Sequence, residues 1–475
     1  MSVMQPFGIG KLYALWSAKS FILTIPDARG MLIPLPGFRA SVCDWAHPTS
    51  EQYGVEGCGA MKSESTQSAL NRTSTFTSPA KSAPSFALLI ALAFVTQFAH
   101  GQTLTTLYSF SGANGRGPQA GVVRDTAGNL YGTTEFGGGS CDCGTVFKLN
   151  AAGNLQVLHR FTYWPDGSLP GAPLIRDAAG NLYGTAALGG DPNSCQGNCG
   201  TVFKVDAASR FTVLYRFTGP PDGQLPNSGG LIRDANGNLY GMTELGGDTS
   251  CDNGLGCGTV FKLDASNHET VLYRFTAAGT EGNTPVGGLI RDAAGNLFGA
   301  TSAGGDPACF SGCGAMFKLD TTGKVTVLHS FTGPPDGKTP STSVVQVGSN
   351  LYGTTGSGGY GLGLWGTVFK LDKSGNETVV HSFAGGVTDG ADPFAALISD
   401  AAGNLYGTTV AGGPFDAGIV FMLDKTGKES LLHSFTRSDG WLPEASLIRD
   451  AAGNLYGTTF KGGAHRNGTI FKITP

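Results

Sequence analysis

Charged side chains are scarce, with Asp, Glu, Lys and Arg supplying 14% of the 475 residues and a formal net charge of −4. With a pI near 6.1 and no local basic run, the chain has no field for gathering phosphates, so nucleic acid is excluded as an expected partner. Long amphipathic helical periodicity is absent. So are a nucleophile elbow, a glycine-rich phosphate loop leading into a helix, and any His–carboxylate pairing outside repeated positions; no catalytic residue, metal or cofactor is therefore expected. Glycine is abundant, at 75 residues, which favours a turn-rich all-β chain because glycine weakens helices and supplies positive φ angles.

Residues 81–101 (KSAPSFALLIALAFVTQFAHG) place Lys81 ahead of an apolar run from Phe86 to Ala99, followed by Gly101, which is the pattern of a secretory signal. The run is shorter than the ~20 apolar residues that span a bilayer, so cleavage near Gly101 is expected rather than retention in a membrane. The organisation expected is a non-native or disordered leader over 1–60, a signal region over 61–101 opening at Met61-Lys62, and a folded body over 102–475. Cys43 and Cys58, in the leader, are assigned no structural role.

From Thr103 onward four short phrases recur in fixed order. Taking Pro173–Asp177 (PLIRD), Gly128–Thr134 (GNLYGTT), Gly258–Asp264 (GTVFKLD) and the VLHSF type ending at Phe331 as examples, each is rich in β-branched and aromatic residues and bounded by Gly or Asp. These are the marks of short strands, here labelled A, B, C and D. The leucine of phrase B recurs at Leu130, Leu182, Leu239, Leu297, Leu351, Leu405 and Leu455, with spacings of 52, 57, 58, 54, 54 and 50 residues. Four antiparallel strands per repeat at that spacing predict a seven-bladed β-propeller.

The last repeat stops after strand C, near Thr469–Ile473, whereas Thr105–Phe110 (TTLYSF) is a strand D with no A, B or C before it. Pairing the two would close the ring and leave no exposed terminal edge. Tight turns of the type Asp177–Asn181 (DAAGN) fill the A–B and C–D positions, so the long B–C and D–A connections must share the opposite face, where binding is expected.

The succession DAAGNLYGTT, GG, GTVFKLD and VLHSF resembles the tandem repeat of the GloVer family, the choice-of-anchor repeat proteins of bacteria, over essentially all of residues 103–475. A weaker likeness is to kelch propellers, which also place a glycine pair after strand B. The resemblance implies a bacterial exported protein of undefined activity. Family members often carry a C-terminal sorting signal, and the end of this sequence at Pro475, directly after a strand, implies a soluble form.

Eight cysteines fall in pairs within the B–C loops of the first four blades: Cys141 and Cys143, Cys195 and Cys199, Cys251 and Cys257, Cys309 and Cys313. In an exported chain these read as four local disulfides worth about 2 kcal/mol each. Zinc shared between adjacent loops is the alternative. Asp166, Asp222, Asp336, Asp389 and Asp439 each open an Asp-Gly turn in a D–A loop, a placement that suits the turn itself and could also present a ring of carboxylates to calcium. Tyr163, Trp164, Tyr360, Trp365, Phe415 and Trp441 put aromatic rings on the same face, as platforms for sugars or a partner protein or as caps on the blades.

Strand D carries His159, His329, His381 and His433 where other repeats carry Tyr108, Tyr215 and Tyr273, which reads as packing. The strand-C lysines, Lys148 and its counterparts, are expected to lie along the blade surface. The function expected is a monomeric, secreted, non-catalytic binding or scaffold module for extracellular glycan or protein. The alternatives are a polysaccharide-active hydrolase or lyase using Asp166, Asp222, Asp336 or Asp439 as acid and base, and a purely structural surface-layer component.

Overall fold

The computed structural model describes residues 102–475 apart from 196–197, 227–228, 310–311 and 362–363; the expected leader and signal region lie outside the described residues. Seven antiparallel sheets follow one another as seven blades. In blade 1 the strands are Val123–Arg124 (A), Leu130–Thr134 (B), Thr145–Leu149 (C) and Leu155–Arg160 (D), hydrogen-bonded in that order. Blade 7 is built from both ends of the propeller, with Ile448–Arg449 (A), Leu455–Thr459 (B) and Thr469–Thr474 (C) completed by Thr103–Ser109 as D. This closing strand runs antiparallel to its partner, from Thr103 opposite Thr474 to Ser109 opposite Thr469. It begins two residues before the expected Thr105 and ends one before Phe110.

Two residue choices explain phrases B and C. Gly132 in LYGTT leaves room for the ring of Phe147 on strand C, since a Cβ there would lie 2.7 Å from the Phe147 ring. Asp125 accepts hydrogen bonds from the Asn129 backbone N–H (2.8 Å), the Asn129 side-chain amide (2.7 Å) and the Tyr131 hydroxyl (3.0 Å), so Asp, Asn and Tyr recur together because they lock the A–B hairpin. On this tight-turn face Lys148 rests over the Tyr131 ring at 5.5 Å, as expected of a strand-C lysine lying along the blade.

Blades stack through one repeated contact. The last Phe of each D phrase meets the strand-C Phe of the next blade edge-to-face, as Phe110 on Phe147, Phe161 on Phe203 and so on round to Phe435 on Phe471, at 5.1–5.2 Å between centroids. Seven apolar clusters follow, one per interface, and the cluster joining blades 7 and 1 contains Phe110, Val122, Leu130, Phe147, Tyr456 and Ile470. Among the described residues each of the seven interfaces is filled by such a cluster. Towards the axis the segments that enter strand A run side by side, so closely that a Cβ on Gly229 would lie 2.2 Å from the Gly287 backbone.

Candidate functional site on the long-loop face

The tight hairpins leave the B–C and D–A connections together on one face, and this face carries the exposed apolar side chains. Among the described residues nine large hydrophobic side chains are exposed, and eight of them lie in these connections; only Leu431 is on a strand. Six of the eight, Tyr360, Leu364, Trp365, Val387, Phe394 and Phe415, belong to blades 5 and 6. Trp164 is likewise exposed, but Trp441 is half-buried, with the Arg437 and Lys461 cations 5.0 and 5.2 Å from its ring centroid.

Trp365 departs from the repeat. It stands directly before the glycine that opens strand C, where blades 1 to 4 place Cys143, Cys199, Cys257 and Cys313 and blade 6 places Ala417, all buried; Trp365 is 41% exposed. Its indole packs on Gly385, where a Cβ would lie 2.8 Å from Nε1. The cysteines pair as expected, 141 with 143, 195 with 199, 251 with 257 and 309 with 313, with Cα separations of 5.1, 5.4, 4.9 and 5.7 Å. Disulfides thus brace the loops of four blades, and the exposed rings gather where those braces end.

The D–A aspartates are not gathered into one centre. Each is turned into its own blade: Asp166 Oδ2 meets His159 Nε2 at 2.8 Å while Oδ1 accepts from the Thr162 N–H and hydroxyl. Asp336 meets His329 at 3.1 Å, Asp439 meets His433 at 3.1 Å, and Asp222 accepts from the Tyr215 hydroxyl at 3.0 Å. Burial works against ionisation of Asp166, Asp336, Asp389 and Asp439, but the histidine and backbone N–H groups outweigh it and hold these carboxyls below the usual range. Histidine and aspartate, read separately in the sequence as packing and turn residues, are one recurring pair.

In three blades a glutamate opens strand D and faces the pair of the preceding blade. Glu269 lies near Asp222, Glu377 near Asp336 and Glu429 near Asp389, and burial together with the adjacent carboxylate pushes each glutamate up to about 7. Elsewhere this position is apolar: Leu155 packs against the same buried cluster as Tyr108, and Phe211 stacks on His159 at 3.6 Å. Among the described residues, His329, Asp336 and Glu377 form one set that could hold a metal ion, and His381, Asp389 and Glu429 form another.

A further set lies at the axial mouth of the same face. Glu444 precedes strand A of blade 7 and accepts a hydrogen bond of 3.2 Å from the Gln119 amide, which precedes strand A of blade 1. Glu135 and Glu244 follow strand B in blades 1 and 3, where other blades have Ala187, Ser302, Gly356, Val410 and Phe460. All three acids keep some solvent contact yet are walled in by neighbouring chain, and that desolvation raises each carboxyl to about 7; the charge of Glu444 adds to the rise at Glu135, and that of Asp252 to the rise at Glu244. Sequence inspection did not single them out. The signal was there, in acids that occupy repeat positions held elsewhere by small or apolar residues.

These raised acids set a pH dependence. Between their ordinary value near 4.5 and about 7, the folded state holds protons that the unfolded chain has released, so stability falls as pH rises through that window. The melting temperature should peak near pH 5, because the depressed aspartates lose their contribution only at lower pH. Glu244→Gln should recover ~2 kcal/mol at pH 8 and nothing at pH 5. A flat profile across this range in calorimetry would show that the acids are ordinarily solvated.

A family model for this repeat matches residues 93–310, 174–364 and 249–471. The chain belongs to the Gloeobacter/Verrucomicrobia repeat family. For this member no curated protein matches the sequence. Among solved structures, the extracellular domain described for a hybrid two component system of B. thetaiotaomicron is 12% identical with a TM-score of 0.49, over 78% of this chain and 41% of that one, so this repeat protein spans well under half the length of that relative. A gluconolactonase of Xanthomonas campestris is 14% identical with a TM-score of 0.36, over 70% of this chain and 90% of that one. Likeness at that level carries no argument about what this repeat protein binds or catalyses. Among its described residues no helix is long and apolar enough to cross a membrane.

Proposed function

We propose that this propeller is a secreted, non-catalytic binding module for an extracellular glycan, with the long-loop face of blades 5 and 6 as its contact surface. The observation that carries this reading is the collection of exposed rings there, Tyr360, Trp365, Phe394 and Phe415. Flat aromatic faces stack on the apolar faces of sugar rings, and nearby carboxylates and backbone groups accept their hydroxyl hydrogens. Trp164 offers a further ring from the loop between blades 1 and 2. The four disulfides support export, since such bonds persist in oxidising compartments.

Trp365→Ala is expected to weaken retention on the bound polysaccharide at least ~10-fold, the size of one lost aromatic anchor, while leaving the melting temperature unchanged. The fold accepts alanine there because Ala417 fills the same place in blade 6. Affinity electrophoresis of parent and variant over a polysaccharide panel makes the measurement. Equal retention of the two proteins would remove the aromatic face from the account, and capture of a protein partner in place of any glycan would replace the ligand class.

A second reading, a polysaccharide-active enzyme, is favoured by one observation: Glu135 and Glu444 interact at the axial mouth, and an acid that is protonated near neutral pH beside a second carboxyl is suited to acid–base work. Shortened glycan products that disappear on Glu444→Gln would establish that reading over the first.

A further inference from the structure

The His–Asp pairs of strand D and the D–A loop differ in one respect. In three blades the pair is closed by contact, at 2.8 Å in His159–Asp166 and 3.1 Å in both His329–Asp336 and His433–Asp439. At the interface of blades 5 and 6 it is open: His381 Nε2 lies 3.6 Å from Asp389 Oδ1 and 3.8 Å from Glu429 Oε2. Both separations exceed a hydrogen bond. They approach the ~3.4 Å edge of a tetrahedron of N and O donors around an ion with bonds of ~2.1 Å.

The surroundings show that the opening is built. His381, Asp389 and Glu429 side chains are 17%, 12% and 16% exposed, and their donor atoms all fall within 4.8 Å of one another. His381 Nε2 and Glu429 Oε1 are buried with no hydrogen-bond partner, although buried polar atoms are ordinarily satisfied. Asp389 is held rigid by the Gly390 N–H on Oδ1 and the Ala384 N–H on Oδ2, each at 2.6 Å, as a ligand oriented from behind would be. Glu429 occupies the position that is Leu104, Leu155, Phe211 and Val325 in four blades and Glu269 and Glu377 in two, so here as there the chain gives up an apolar contact to bring a second carboxylate beside the first. Two carboxylates flank an imidazole that lies within ion-pair range of both but hydrogen-bonds to neither, a donor set that a bound cation would draw together.

We infer that His381, Asp389 and Glu429 bind one divalent first-row transition-metal ion of the zinc class, bridging blades 5 and 6. One imidazole nitrogen with two carboxylates and a water as fourth ligand fits zinc or cobalt, and the small, nitrogen-containing set does not suit calcium, which takes 6–8 oxygens. The site uses side chains other than the exposed rings and the axial acids, although Asp389 shares its loop with Phe394, and metal binding there does not depend on the glycan reading. Its role is to tie two blades together in the part of the ring where the loop disulfides are absent.

The test uses the secreted chain stripped with chelator and then freed of it. Zinc added at a hundredfold excess over its Kd should raise the melting temperature by roughly 3–5 °C, and cobalt should give the intense visible absorption of a four-coordinate ion. Glu429→Leu and His381→Tyr insert the residues that other blades carry at these positions, as at Leu155 and Tyr215, so the fold should tolerate them. Each should abolish both the zinc-dependent shift and the cobalt spectrum. A parent protein that neither shifts with zinc nor colours with cobalt would overturn the inference, as would variants that keep either response. Should a variant fail to fold, the cobalt spectrum of the parent decides alone.

Discussion

Phe110→Ala is expected to cost about 3–5 kcal/mol, as much as the same change at Phe217 in the middle of the chain. Both rings are fully buried, and each lies edge-to-face on the strand-C Phe of the following blade, Phe147 for one and Phe261 for the other, at 5.2 and 5.1 Å. In sequence the two sites could hardly differ more, because Phe110 directly follows an isolated strand at the start of the repeat region and Phe217 directly follows the fourth strand of an intact repeat. The ring makes them equivalent. Chemical denaturation of the two variants compares them directly, and a cost at Phe110 below ~1 kcal/mol would mean that the joint between blades 7 and 1 is not formed like the others.

That equivalence was legible in the amino-acid sequence, because strand D was missing from one end and surplus at the other. Disulfide partners were legible for a similar reason, each pair being confined to one loop. The short strands A were less so: residues such as Val123–Arg124 pair with only Tyr131 and Leu130, because the chain enters the blade at the crowded axis and leaves the ladder early.

The His–Asp pairs were not legible at all. Strand D carries a bulge opposite strand C, between the pairings of Val146 with His159 and of Phe147 with Val157, and a bulge re-aims the side chains that follow it. His159 and Phe161 consequently face blade 2, where they meet Phe211 and Phe203. An alternation rule applied to VLHRF has no means of predicting that. The glutamates at 135, 244, 429 and 444 escaped notice for another reason: attention to what the repeats share conceals the positions where one repeat departs, and ligand chemistry is carried by departures.

Apart from Trp164, disulfide bracing and exposed rings occupy different blades of the long-loop face. Blades 1 to 4 hold their B–C loops with sulfur bridges, whereas blade 5 offers Trp365 at the equivalent place. The framework is seven-fold; the chemistry proposed for it is confined to a few blades.

The whole architecture rests on Thr103–Ser109 completing blade 7, with six residue pairs against Thr469–Thr474 and Phe110 seated behind them. Without that strand the edge of Thr469–Thr474 would be unpaired and the interface with blade 1 would lose the fully buried ring of Phe110, so the deletion removes a ladder and a core contact together. Thermal unfolding of the chain lacking Thr103–Ser111, beside its parent, measures this most directly. The account predicts either no cooperative transition or one at least ~10 °C lower. A truncated chain that melts with the same sharpness at the parent's temperature would contradict it.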